Sequence, residues 1–333
     1  MILLTGSLVF LTVVIAIHFF IKLAPEMKLL AEPGGHRHHD TATPMVGGIG
    51  IYLGLLVGMV LIDGSFVTLM PSLFLLCAVG VLDDRYSLPS WSRFLVQGVA
   101  AYLMIEFTGA HLSSLGNLVS PEHEVLLGRW STPVTIFAAI GVINAVNMSD
   151  GMDGLAGCML TLVFIALSSL GGADNGLVMV AMISVGGFLF WNLRIFRSNA
   201  AVFMGDAGST MLGLLIAYLL INSSQIESAI SPVTALWLLA LPLMDAVAVL
   251  LVRPLRGKSP FLADRIHYHH QLAEQGFSVN GVLVVSLALQ MTLILAGFLM
   301  WHVQVPDHLQ LILFLILFLC YFGRLLWYTR VSK

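Results

Sequence analysis

Three short segments gather side chains suited to phosphate chemistry. Val81-Leu82-Asp83-Asp84-Arg85 sets two adjacent carboxylates at the end of an apolar run. Such a pair suits a hard divalent cation or a proton acceptor, or simply marks a polar helix end whose charge Arg85 offsets. Asn144-Ala-Val-Asn147-Met-Ser-Asp150-Gly151-Met-Asp153-Gly154 leaves one apolar run and enters the next. If helical, its spacings of three keep Asn144, Asn147 and Asp150 near one face, while Gly151 and Gly154 permit a tight turn. Capping of the following helix accounts for one aspartate and for neither amide. Phe203-Met204-Gly205-Asp206-Ala207-Gly208-Ser209 places an acid between glycines where another apolar run begins. There Asp206 reads as a helix cap, or as a Mg²⁺ ligand beside backbone N–H groups able to receive phosphate.

Two basic segments complement these acids. Arg253, Arg256, Lys258 and Arg265 lead into His267-Tyr268-His269-His270, with Asp264 among them. His-x-His-His lacks the spacing of helical zinc motifs, so guanidinium and imidazole contacts to phosphate fit better. His36-Arg37-His38-His39-Asp40 precedes Thr43-Pro44 and Gly47-Gly48; it is either a loop meeting anionic headgroups or part of the same site. Asp245, beside Pro242, either supports the site or packs against a polar neighbour.

These segments need a membrane to hold them. Of 333 residues, 58% are hydrophobic and only 10% charged, against roughly 25% charged in soluble domains. Apolar runs at about 2–21, 46–62, 67–82, 93–109, 132–147, 154–171, 177–193, 208–222, 232–252, 281–301 and 308–328 approach the length of a spanning helix. They are apolar all round, which excludes barrel strands. The expectation is one all-α polytopic domain, residues 1–333, with about eleven transmembrane helices. The first run is too long, and its start too weakly charged, for a cleavable leader. With the N-terminus outside and the C-terminus cytoplasmic, inner loops fall at about 22–45, 83–92, 148–153, 194–207 and 253–280. Of the 15 Lys and Arg residues, only Arg129 then lies outside, as the positive-inside rule requires. The same loops carry every motif above, so the site faces the cytoplasm. A net charge of −3 gives no basic field for nucleic acid. Cys77, Cys158 and Cys320 lie in apolar runs without metal-site spacing and read as packing residues. An ion-coupled carrier would instead set acids near mid-membrane in both halves. Hydropathy leaves homo-oligomerisation open.

At these motifs the chain resembles the polyprenyl-phosphate N-acetylhexosamine-1-phosphate transferase family, and within it the N-acetylglucosamine branch. Besides the acid segments, the likeness includes Ser113-Ser114-Leu115-Gly116, Ser231 to Trp237, Pro242-Leu-Met-Asp245 and Ser259-Pro-Phe to His270. The resemblance implies transfer of N-acetylglucosamine-1-phosphate from UDP-N-acetylglucosamine to undecaprenyl phosphate, with release of UMP. That would be the first membrane step of O-antigen or other cell-surface polysaccharide synthesis, in the bacterial inner membrane. Another UDP-N-acetylhexosamine donor is the alternative. The cofactor implied is Mg²⁺, with Mn²⁺ as a substitute, held by Asp206 and Asp84. Asp83 and Asp84 would lie at the reacting phosphates. Asn147, Asp150, Asp153 and Phe203 would line the nucleotide pocket. Arg265, His267, His269 and His270 would meet the diphosphate and neutralise charge there. Arg37 and His39 would bind the lipid phosphate; His36 departs from the Arg common in relatives.

Overall fold

The structure, a computed structural model, describes residues 2–31, 42–63, 65–170, 175–195, 197–261 and 264–331. Arg37 and His39 therefore lie outside the described residues. Thirteen α-helices occur among those described: α1 (Ile2–Met27), α2 (Gly47–Asp63), α3 (Met70–Tyr86), α4 (Ser90–Thr108), α5 (Ser131–Ser149), α6 (Leu155–Ser169), α7 (Asn175–Asn192), α8 (Gly205–Ile221), α9 (Pro232–Leu238), α10 (Ala240–Leu255), α11 (Tyr268–Glu274), α12 (Val279–His302) and α13 (Asp307–Val331). A two-residue antiparallel pairing, Leu30–Ala31 with Thr43–Pro44, supplements them.

Each of the eleven apolar runs is helical, and the protein is an all-α, multi-pass membrane protein. Among the described residues, seven helices are long and apolar enough to cross a bilayer unaided, while α2 and α6 are shorter apolar helices. The run at 232–252 differs from expectation, because it is two helices, α9 and α10, bent by 87°. Leu239 leaves the helical region at φ −120°, ψ 23°. Breaking a helix frees backbone groups that hydrocarbon cannot satisfy. Gln290 of α12 supplies the partners: its Nε2 donates to Leu238 O at 2.6 Å and its Oε1 accepts from Leu241 N at 3.2 Å. The fully buried amide thus bridges the break.

Helix α8 is the axis of the fold, with every residue from Met211 to Ile221 buried. Helices α2, α3 and α5 pack on it, α1, α6 and α7 form an outer group, and α10, α12 and α13 lie on another side. Small residues permit this close packing. A Cβ on Gly80 of α3 would lie 2.3 Å from Ala207 Cα, and one on Gly48 of α2 would lie 2.2 Å from Gly208 N. Both contacts fall at the N-terminal turn of α8. At its other end a π-helical turn, Asn222–Ile226, extends the helix. There Gln225 Oε1 accepts from Ser113 N, Ser113 Oγ and Ser114 N at 2.9–3.1 Å. The Ser113-Ser114 motif therefore anchors the end of α8 remote from the acids. Cys77 packs in the core as expected, whereas Cys320 is exposed on α13.

Candidate active site

The acid motifs converge on the first turn of α8. Asp84, near the end of α3, accepts with Oδ1 from Asp206 N at 3.0 Å and with Oδ2 from Ala207 N at 3.4 Å. It thereby holds the positive end of the helix dipole. The cap is thus Asp84, and Asp206 itself is released for other contacts. Gly205 suits this approach twice over: its φ is +71°, and a Cβ there would sit 2.4 Å from Asp84 Oδ2. Asp206 Oδ1 accepts from Asn147 Nδ2 at 2.8 Å, while Oδ2 lies 3.8 Å from Arg93 Nη1. The same guanidinium is 3.3 Å from Asp83 Oδ2, and Leu88 N donates to Asp83 Oδ1 at 2.7 Å. Two carboxylates distant in sequence, Asp83 and Asp206, thus flank one arginine, with Asp84 beside them on the backbone of α8. A cavity of about 20 Å³ lies between Asp83, Arg93, Gln97, Asp206 and Thr210, room for about one water.

Arg93 and Gln97 were not among the residues singled out in the sequence. Their signal is weak, because both sit inside an apolar run on α4, but their spacing of four is that of one helix face. Gln97 explains Asn144, whose Nδ2 donates to Gln97 Oε1 at 2.7 Å and so turns away from Asp206. Asn144, Asn147 and Asp150 do not act as one face, since α5 ends at Ser149 and Asp150 is already outside it. The N-cap position of α6 is Gly154, which has no side chain to cap with. Gly154 N donates to Asn192 Oδ1 at 2.6 Å, and Asp153 Oδ2 pairs with Arg194 Nε at 2.6 Å. Asp153 thus ties the turn before α6 to the chain just after α7. Phe203 is buried, with its N donating to Pro44 O at 2.8 Å and its O accepting from Gly47 N at 2.9 Å. Those bonds bring the segment following Arg37 and His39 alongside the start of α8.

The histidine stretch packs against the turn after α5. A Cβ on Gly151 would lie 2.3 Å from His269 Nε2, so only glycine admits that ring. His267 and His269 stack with ring centres 5.5 Å apart, and His269 and His270 lie at 4.3 Å. Half-buried Arg265 stands just before this stretch. Arg253 Nη2 binds Asp264 Oδ1 at 3.0 Å and Nη1 donates to Pro260 O at 2.7 Å, closing the loop. Burial, then the neighbouring His270, pushes His269 down to about 3; burial and His267 push His270 down to about 4. Both rings are thus neutral near pH 7 in this structure. Among the described residues, neither ring nitrogen of fully buried His269 has a hydrogen-bond partner.

An acid sensitivity follows. Unfolding returns these histidines to about 6.5, so the unfolded chain binds more protons below that pH and stability declines as pH falls from about 6.5 towards 4. Thermal unfolding of detergent-solubilised protein across pH 8 to 4 should show this decline. His269→Gln should flatten it, and an unchanged slope in that variant would contradict the assignment.

The donor set suits a hard divalent cation. A carboxylate has about four lone-pair sites; Asp84 turns both of its oxygens to the first turn of α8, and Asp206 is 29% exposed. Mg²⁺ is commonly held by one or two carboxylates together with substrate phosphates. The larger cavity near Asn117, Thr234, Trp301 and Asp307, about 480 Å³, lies at the opposite end of the bundle and contains none of these groups.

Comparison with known proteins places this geometry in context. Residues 66–224 match glycosyl transferase family 4. Undecaprenyl-phosphate alpha-N-acetylglucosaminyl 1-phosphate transferase of Escherichia coli (strain K12) is 34% identical over 325 residues, covering 94% of this chain and 88% of the relative. The protein of that name from Salmonella typhi is 36% identical over 328 residues, with the same coverages of 94% and 88%. That from Haemophilus influenzae is 33% identical over 267 residues, covering 77% and 75%.

Proposed function

The chain belongs to glycosyl transferase family 4, and on that premise we propose that it transfers N-acetylglucosamine-1-phosphate from UDP-N-acetylglucosamine to undecaprenyl phosphate. The products are N-acetylglucosamine-diphospho-undecaprenol and UMP. The observation that carries this reading is Asp206, set at the N-terminus of a buried helix between Asn147 and Arg93 with two further carboxylates beside it. Phosphoryl transfer needs alignment and charge neutralisation more than covalent chemistry from the protein, and this site is built for both.

In the reaction, an oxygen of the lipid phosphate bonds to the sugar-bearing phosphorus. The bond from that phosphorus to the bridging oxygen breaks, and UMP leaves with the electron pair. A phosphate monoester has its second pKa near 6, so the nucleophile is largely dianionic at neutral pH and no strong base is required. Asp83 orients the incoming phosphate through Arg93, whose guanidinium lies between the two acids. Asp206 and Asp84 would hold Mg²⁺, or Mn²⁺ in its place, and the bound ion would screen the diphosphate oxygens. Asn147 fixes the Asp206 carboxylate. Asp150, Phe203 and the turn braced by Asp153 flank the nucleotide. Arg265 and His270, both half-buried, approach the diphosphate, with His267 and His269 behind them. Arg37 and His39 bind the lipid phosphate.

The topology that accompanies this reading has eleven crossings, the N-terminus outside and the site facing the cytoplasm of a bacterial inner membrane. The test is UMP release by purified protein with undecaprenyl phosphate, Mg²⁺ and each of several UDP-sugars, repeated in vesicles of known orientation. Lipid- and metal-dependent UMP from UDP-N-acetylglucosamine is expected, and only where the inner face is accessible. Release from a different UDP-N-acetylhexosamine alone would change the donor, and no release from any donor by folded protein would overturn the reading.

A further inference from the structure

The C-terminal helix carries a row of polar side chains with no place in the acid cluster. On α13, Tyr321, Arg324 and Tyr328 follow at intervals of three and four, which puts them on one face. All three reach the histidine region. Tyr321 OH donates to Asp245 Oδ1 at 2.5 Å, Arg324 Nη2 to Gln271 Oε1 at 3.1 Å, and Tyr328 OH to the Glu274 carboxylate. Between them, fully buried Leu325 packs in one cluster with Ala248, Val249, Val252 and Ile266.

The recipients of these bonds control the histidine stretch directly. Asp245 is 2% exposed. Its Oδ2 accepts from His267 Nδ1 at 2.7 Å, and its Oδ1 also accepts from Tyr268 N at 3.2 Å. With Nδ1 engaged, the ring presents Nε2 towards Arg253 Nη2, 3.5 Å away. Gln271, 1% exposed, passes the Arg324 contact on by donating from Nε2 to Ile266 O at 2.6 Å, immediately before His267. One route from α13 therefore ends at the His267 ring and the other at the Ile266 carbonyl just before it. Buried carboxylates that accept from one imidazole nitrogen fix the ring's orientation and its tautomer.

We infer that Asp245, Tyr321, Arg324 and Gln271 are positioning residues, through which α13 fixes the His267 ring for the substrate diphosphate. This rests on the transferase reading above. Helix α13 lies outside the segment matched by the family, so its contribution is not contained in that match.

The test uses the full-length protein in detergent, with UMP release followed against UDP-N-acetylglucosamine and undecaprenyl phosphate separately. Tyr321→Phe removes one hydroxyl and Asp245→Asn removes the anion at nearly constant volume. A misplacement of about 1 Å costs about 10²-fold in rate. Asp245→Asn should approach that loss in kcat per folded enzyme, Tyr321→Phe should lose about tenfold, and KM for the lipid should be unchanged in both. Because Tyr321 acts through Asp245, the double variant should be no slower than Asp245→Asn. Leu319→Ala, on the exposed face of α13, should match wild type. Wild-type kcat in both variants, or losses that vanish once the folded fraction is taken into account, would overturn the inference. Absence of UMP from the wild-type protein would instead defeat the transferase reading on which it rests.

Discussion

Asp206→Asn should cut Mg²⁺-dependent UMP release by about 10³-fold, comparable to removing one group that stabilises developing charge in a water-excluded site. The substitution isolates charge from shape. An asparagine at 206 has the same volume and leaves the backbone N–H that Asp84 accepts, so the α3–α8 junction persists. It can still accept from Asn147 Nδ2 through its amide oxygen. What disappears is the negative charge 3.8 Å from Arg93, leaving that guanidinium with Asp83 and lowering the affinity of the site for a divalent cation. Initial rates across a Mg²⁺ titration, with circular dichroism to confirm folding, would measure the effect. Near-normal turnover at ordinary Mg²⁺ concentrations would remove Asp206 from the chemistry.

The second large effect needs no charged residue. Gly80→Val should separate α3 from α8 and cost both stability and rate. Even the first carbon of the new side chain would lie 2.3 Å from Ala207 Cα and 2.4 Å from Ala207 N, and backbone atoms cannot rotate away. Overpacking of this kind typically costs about 1–3 kcal/mol. Asp83 and Asp84 sit one turn beyond Gly80, so displacing α3 moves both relative to Asp206, and a shift of about 1 Å is worth about 10²-fold. Thermal unfolding and UMP release on the same preparation would report the two losses. Gly141→Ala, with no atom within 4 Å of its new carbon, should leave both unchanged. A Gly80→Val protein as stable and as active as wild type would show that the junction yields.

The helical runs were legible because hydrocarbon imposes one solution on the backbone, and the acid motifs because carboxylates are rare in such runs. Three things were not legible. The bend at Leu239 depends on Gln290, some fifty residues away, and an amide inside an apolar run carries no sign of its partner. Asp84 looked like Asp83 in sequence, yet one meets Arg93 and the other the backbone of α8. Only the packing of two helices separates them. Asp153 reads in sequence as an acid of the nucleotide pocket, and nothing near it in the chain signals its ion pair with Arg194. Each case is a long-range pairing, and local spacing encodes one partner at most.

The enclosure of α8 also bears on how the protein is made. Its acid at position 206 would be costly facing lipid alone, yet Asp84, Arg93 and Asn147, and the helices α2, α3 and α5 that cover it, all precede it in the chain. Synthesis runs from the N-terminus, so when α8 leaves the ribosome its receptor already stands in the membrane. Order of translation thus lets this polar helix end meet its partners as soon as α8 inserts.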